Sequence, residues 1–298
     1  MNSFVLIGFC LAVGLALQFG RLAGESLAAR LNAYVINIAL PALIFFELPR
    51  LTFDATIILP VLVCWSVMVV TALGVLLASR LFSLSKSISG CLLLMLPLGN
   101  TGFVGIPLID ALVGSEGVGY AILYDQFGTF LALNTFGIAV AVGYSGGQAS
   151  VVAIAKRIMS FPPFLCLLLA FALLWWEYPV WLDQSFRFVA WTLVPVVMVA
   201  VGISWRLKLN REDIVVFSAA LLTYCVFKPL VAVLFSHLYG GTGLAHQVVV
   251  LEAGMPAMIS AGVLAMRYNL APRLAASLVG YSLPAGILSL FVWRFLLQ

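Results

Sequence analysis

Charge is what this sequence has least of. Asp, Glu, Lys and Arg make up 9% of its 298 residues, only two histidines accompany them, and 64% of the residues are hydrophobic. Soluble domains run near about 25% charged and about 45–50% apolar, so the composition excludes a soluble protein and defines an integral membrane one. A net charge of +4 spread along the chain excludes a nucleic-acid partner. Cysteine pairs are missing as well. Cys10, Cys64, Cys91, Cys166 and Cys225 stand singly in separate apolar segments, with no CxxC, and fit as small packing residues. Enzyme signatures are absent: there is no HExxH, no GxSxG in a hydrolase setting and no GxxxxGK[ST] phosphate loop. Without an ATP site, any transport must draw on an existing gradient. His237 and His246 lie beside a glycine-rich loop without the i, i+4 spacing of a metal pair, so they are taken as interface histidines and no metal site is expected.

What the chain has in abundance is long apolar runs. Ten can be marked, at 3–20, 31–48, 57–79, 88–112, 117–143, 161–177, 182–203, 213–238, 245–266 and 271–296. Most are long enough to cross about 30 Å of hydrocarbon at about 1.5 Å per residue. The first lacks the basic flank of a signal peptide and is taken as a span. The sixth is the shortest, with Trp175, Trp176, Tyr178 and Trp181 as interfacial anchors. Arg21, Arg30, Arg80, Lys86, Lys156, Arg157, Arg206, Lys208, Arg211, Arg267 and Arg273 follow the odd-numbered segments, whereas the opposite loops hold only Arg50, Arg187 and Arg294. The positive-inside rule places the first set in the cytoplasm and both termini outside the cell membrane, the inner membrane in a two-membrane cell.

The fourth segment is interrupted at Leu96–Pro107, LPLGNTGFVGIP, which holds Gly99, Gly102, Gly105, Pro97 and Pro107 around Asn100 and Thr101. Glycine and proline weaken a helix, and each backbone group they free in hydrocarbon needs a partner, so such a break marks a site rather than a span. A second regularity follows at an offset of about 155 residues: Pro41 in ALPALIFF has Pro195 in LVPVVMVA, and Gly99 has Gly254 in LEAGMPA. Broken segment four thus maps onto broken segment nine. Five spans per half, an odd number, give the halves opposite orientations, the inverted-repeat design of secondary transporters. The fold expected is all-α and membrane-embedded, with ten transmembrane helices in two repeats, residues 1–145 and 161–298. A cytoplasmic linker, 146–160, joins them.

Candidate site residues follow from the breaks. A half-helix N-terminus offers free N–H groups and partial positive charge, which suits a carboxylate. Gly99, Asn100, Thr101 and Gly102 at the first break, with Met255 and Pro256 at the second, are therefore the expected substrate contacts; packing kinks are the alternative. Glu252 lies inside an apolar span, where an ionised carboxylate costs about 2.5–3.5 kcal/mol, and so must be protonated, cation-bound or paired with Lys228. Asp125 either completes a cation site with Asn100 or sits wet near a helix end. Lys228, directly before Pro229, is either a counter-charge for an anionic substrate or a snorkelling or bridged lysine. Asp110 and Glu116 flank the turn after the fourth segment and are expected to be solvated.

Three stretches, ALPALIFF, GNTGFVGIPLIDALVG running into YAILYDQFG, and LEAGMPAMISAGVLA, resemble the auxin efflux carrier family, which belongs with the bile acid/sodium symporters. The resemblance covers essentially the whole chain. It implies a panel domain (spans one, two, six and seven) and a core domain that moves like an elevator, with the crossing of spans four and nine at the site. It also implies organic anions as substrates, auxin-like acids or carboxylates such as malonate. The matching glutamate of the symporters ligates sodium, which makes Glu252 the candidate for a coupling sodium ion or proton, the only cofactor expected. Only Tyr144–Ser160 stands where long plant carriers have a large loop, and Met255 stands where their second crossover asparagine would be, so the closer fit is a small bacterial member. The functional expectation is a secondary active transporter of small organic anions, not an enzyme. Its rivals are a channel and an anion-binding membrane sensor. Panel helices bearing glycine and alanine suit a homodimer face.

Overall fold

The computed structural model describes residues 3–22, 25–51, 55–146, 150–205 and 214–298, and these are helical with one isolated antiparallel bridge and no strand. Arg206, Lys208 and Arg211 of the basic set, and Gly147 of the linker, lie outside the described residues. In chain order the helices are α1 (Ser3–Phe19), α2 (Ser26–Arg50), α3 (Thr56–Leu81), α4 (Lys86–Met95), α5 (Thr101–Leu112), α6 (Ser115–Ser145) and α7 (Val151–Met159). They continue with α8 (Pro162–Ala172), α9 (Val180–Ser204), α10 (Ile214–Leu238), α11 (Gly243–Ala253), α12 (Ile259–Arg267) and α13 (Pro272–Leu296). Six of them, α2, α3, α6, α9, α10 and α13, are long and apolar enough to cross a membrane unaided. Leu73, Leu77, Leu222, Leu230 and Phe295 point outward from such helices, as a lipid-facing surface requires.

One expectation changes in detail. The sixth apolar segment forms a helix only over Pro162–Ala172; Trp175 and Trp176 fall in the turn beyond it, where Pro179 disfavours helix in the residue before it. Helix α7 forms within the linker, with Ser150 Oγ accepting from the Ala153 N–H at 3.3 Å as its cap.

The helices pack in two groups. In one, α1 lies along α9, and α2 packs against α8 and α9; the other gathers α3 to α6 with α10 to α13. Helices α1 and α9 meet backbone to backbone: a Cβ on Gly14 would strike Val199 O and Gly202 Cα, and one on Gly202 would lie 2.8 Å from Gly14 Cα. Close approach through small residues is how membrane helices gain dispersion contacts when lipid offers no hydrophobic drive. Gly202→Val should therefore cost about 1–3 kcal/mol, the usual penalty of overpacking. A lowered thermal unfolding midpoint in detergent checks this, and an unchanged midpoint contradicts the packing.

Prolines inside α10 and α13 free carbonyls that hydrocarbon cannot satisfy. Cys225 O, four residues before Pro229, accepts from Ser289 Oγ at 2.7 Å and Trp293 Nε1 at 2.8 Å. Gly280 O, four residues before Pro284, accepts from Trp205 Nε1 at 2.6 Å. Each kink is thus tied to another helix. Between α5 and α6 the turn passes through Gly114 at φ +117°, a conformation open to glycine and costly for other residues.

Candidate functional site

The fourth and ninth apolar segments are each divided, into α4 and α5 and into α11 and α12, and the two interruptions lie against each other. Gly99 and Ala257 form an antiparallel bridge. Asn100 N donates to Pro256 O at 2.8 Å, and Met258 N donates to Leu98 O at 3.4 Å. The groups released by each break are thereby largely satisfied by the other, as a backbone at membrane depth requires. Side chains complete the accounting. Tyr224 Oη donates to Met95 O at 2.5 Å, and Ser282 Oγ accepts from Ala257 N at 2.9 Å. Neither Tyr224 nor Ser282 stands out in the sequence, since a lone hydroxyl in an apolar run signals nothing until its partner is known.

Helix α5 opens with a π-turn, Thr101–Gly105, whose residues carry two glycines on the faces that meet carboxylates. A Cβ on Gly102 would lie 2.9 Å from Asp125 Oδ2, and one on Gly105 would collide with Glu252 Oε2. Two acidic side chains thus reach the start of α5 through slots that glycine leaves open, Asp125 from α6 and Glu252 from the last turn of α11. The exposed-end alternative for Asp125 is overturned, for the residue is buried. Its Oδ1 accepts from Thr101 Oγ1 at 2.5 Å, its Oδ2 accepts from Gln126 Nε2 at 2.7 Å, and the Gly102 N–H points at the same carboxylate. The N-terminus of α5, expected to be free for a substrate, therefore already faces an anion belonging to the protein.

Glu252 is fully buried and neither carboxylate oxygen has a hydrogen-bond partner. Lys228 is buried too, with Nζ 4.9 Å from the centroid of the Tyr224 ring and 3.5 Å from the position a Gly99 Cβ would take. No ion pair joins it to Glu252; the one such pair among the described residues is Arg50–Asp183 at 2.7 Å. The structural-bridge alternative for Glu252 is therefore not what the geometry presents. A carboxylate left without donors at this depth requires a proton or a cation.

A cavity of about 220 Å³ opens on one side of the crossing. Asn100, Gly102 and Asp125 line it, together with Met258 and Ser260 at the start of α12, and Phe103, Phe130 and Phe161 supply apolar wall. Phe130 and Phe161 stack at 4.1 Å between centroids. Ile36 and Leu40 of α2 close the cavity from the other packing group. Asn100 and Pro256 also border a smaller space of about 30 Å³ with Ser204 and Trp205. Gly99, Thr101 and Met255 touch neither space, and Met255 is fully buried. Gln126 and Asn134, which the sequence reading passed over, also line the larger cavity.

The remaining acidic and imidazole groups lie elsewhere. Asp110 is half-buried, and it shares a separate cavity of about 520 Å³ with Glu47, Arg50 and Arg187. Glu116 is exposed. The His237 and His246 rings meet at a 36° tilt, 4.7 Å between centroids, and His246 Nδ1 is 2.8 Å from Ser236 Oγ.

Apolar helices long enough to span a membrane, with buried ionisable residues where the two helix breaks meet, define the class: an integral membrane protein. The family described as "Membrane transport protein" matches residues 3–294. An "Uncharacterized transporter" of Methanothermobacter thermautotrophicus is 30% identical over 296 residues, covering 98% of this chain and 95% of the relative. "Uncharacterized transporter MJ1031" of Methanocaldococcus jannaschii is 27% identical over 306 residues, covering 100% of this chain and 98% of the relative. The chain belongs to the membrane transport protein family, the auxin efflux carrier family whose motifs it carries.

Proposed function

We propose that this protein is a secondary active transporter of small organic anions, carboxylates such as malonate or auxin-like acids, driven by a proton or sodium gradient. The observation that carries the reading is the crossing itself. Two breaks in matching positions of the chain satisfy each other's backbone and leave Glu252 buried with both oxygens unpartnered. Because Asp125 occupies the α5 end, the substrate carboxylate goes to the start of α12, where Met258 and Ser260 border the 220 Å³ cavity opposite the Asn100 amide. Glu252 takes the coupling proton or sodium ion.

The ten spans form two inverted repeats, with α1, α2, α8 and α9 as the panel and the other packing group as the moving core. The division of contacts into those two groups supports this assignment, and so does the position of the cavity between α2 and the crossing. The basic face lies in the cytoplasm, both termini lie outside the cell membrane, and the panel offers the homodimer face. Counterflow tests the reading. Proteoliposomes preloaded with malonate should take up labelled malonate in a saturable manner. Non-saturable flux would indicate a channel, and binding without exchange a sensor.

A further inference from the structure

Away from the crossing, a cavity of about 500 Å³ opens between α3, α4 and α10. Thr71 and Thr223 are the only polar side chains among the described residues that line it. Val75, Leu92 and Leu96 in its walls are buried, so it is a recess rather than a stretch of outer surface. Along α3 it runs from Thr71 to Phe82, a rise of about 16 Å, close to half of about 30 Å of hydrocarbon. Midway, a Cβ placed on Gly74 would meet nothing within 4 Å. One end of the recess reaches Leu96 and Phe227, beside the first break and Lys228. The other reaches Phe82 and Leu84, in the turn between α3 and α4. That turn is flanked by Arg80 and Lys86, both exposed and neither in an ion pair among the described residues. Ser87 Oγ donates to Asn269 O at 3.2 Å and accepts from Ala271 N at 2.7 Å. These bonds hold the α12–α13 turn against the start of α4 and bring exposed Arg267 and Arg273 to the same end. From residue 55 to residue 109 the sequence contains no Asp or Glu.

We propose that this recess is a binding site for one anionic phospholipid. An acyl chain lies along Gly74 and Leu92, and the phosphate meets Arg80 and Lys86. Length, polarity and charge agree on this occupant: the recess is as deep as one leaflet, apolar within and basic at its mouth. Leaving bulk lipid gains a chain nothing by the hydrophobic effect, so retention rests on close packing and on the headgroup. Each nearby lysine or arginine favours an anionic headgroup over a zwitterionic one. The recess is separate from the cavity at the crossing, and the identity of the cargo has no bearing on it.

The test is native mass spectrometry of the full chain, delipidated in detergent and titrated with dioleoyl-phosphatidylglycerol or dioleoyl-phosphatidylcholine. The expected result is one phosphatidylglycerol retained per chain, with apparent affinity about tenfold or more above that of phosphatidylcholine. In Arg80→Gln with Lys86→Gln that ratio should fall towards one. Gly74→Phe, whose side chain enters open space, should lose both lipids. Glycerol phosphate, which has the headgroup charge and no acyl chain, should neither bind nor compete. Equal retention of the two lipids by the wild-type protein overturns the proposal, and so does competition by glycerol phosphate. Phosphatidylglycerol retained undiminished by Gly74→Phe places the lipid elsewhere and overturns it as well. A wild-type dimer that Gly74→Phe converts to monomer gives the recess to a second copy of the chain, again overturning it. The two wild-type comparisons stand even if a variant fails to fold.

Discussion

Glu252→Gln protein is expected to fold, to exchange substrate and no longer to accumulate it against a gradient. The glutamine has nearly the shape of the glutamate it replaces, and the site beside Gly105 already holds a side chain whose two terminal atoms lack hydrogen-bond partners. Packing therefore changes little. What is lost is a group able to take up and release a proton or to hold a cation, and an amide does neither. Uptake driven by an imposed gradient should drop to the equilibrium level, while counterflow, which needs no gradient, persists. Undiminished accumulation in the variant would remove Glu252 from its assigned role and return it to packing.

Gly105→Ala is expected to be at least as damaging, by a different route. The added Cβ would fall on the Glu252 carboxylate, with Oε1 at 2.8 Å in addition to the closer Oε2. Glu252 is enclosed at the end of α11 and Gly105 at the opening turn of α5, so neither can withdraw without shifting the crossing. The overpacking penalty is about 1–3 kcal/mol, seen as a lower unfolding midpoint, and counterflow should fall with it. Shortening the opposing side chain should relieve the contact. Gly105→Ala with Glu252→Asp should therefore regain midpoint relative to Gly105→Ala alone, a coupling that residues not in contact do not show. Additive effects of the two changes would mean that Gly105 and Glu252 do not meet.

Much of the fold could be read from the chain because the hydrocarbon leaves few alternatives. Apolar runs set the spans, and Gly99, Gly102, Pro97 and Pro107 announce the first break with no help from tertiary structure. The second break, at Gly254–Met255–Pro256, follows from the same chemistry and the repeat offset. Other features escaped for a physical reason. The place of Asp125 depends on the register of α6 against α5, where π-turns at Tyr124–Phe130 and Thr101–Gly105 re-aim side chains in a way that a regular 3.6-residue period does not show. Gln126 and Asn134 look like ordinary polar residues in a span until the partners of their amide nitrogens are known. The tryptophans that take the carbonyls freed by Pro229 and Pro284 lie 68 or more residues away along the chain. Trp175 and Trp176 misled in the other direction, being apolar enough to extend a span that ends at Ala172.

The central claim is that the crossing couples movement of a small organic anion to an ion gradient through Glu252. Labelled malonate uptake into proteoliposomes, with a proton gradient and a sodium gradient imposed in separate preparations, addresses it most directly. Accumulation above the external concentration under one of the two gradients, abolished when that gradient is collapsed, is the predicted result. Equilibration to the external concentration and no further under both gradients would contradict coupling and leave a facilitator in its place.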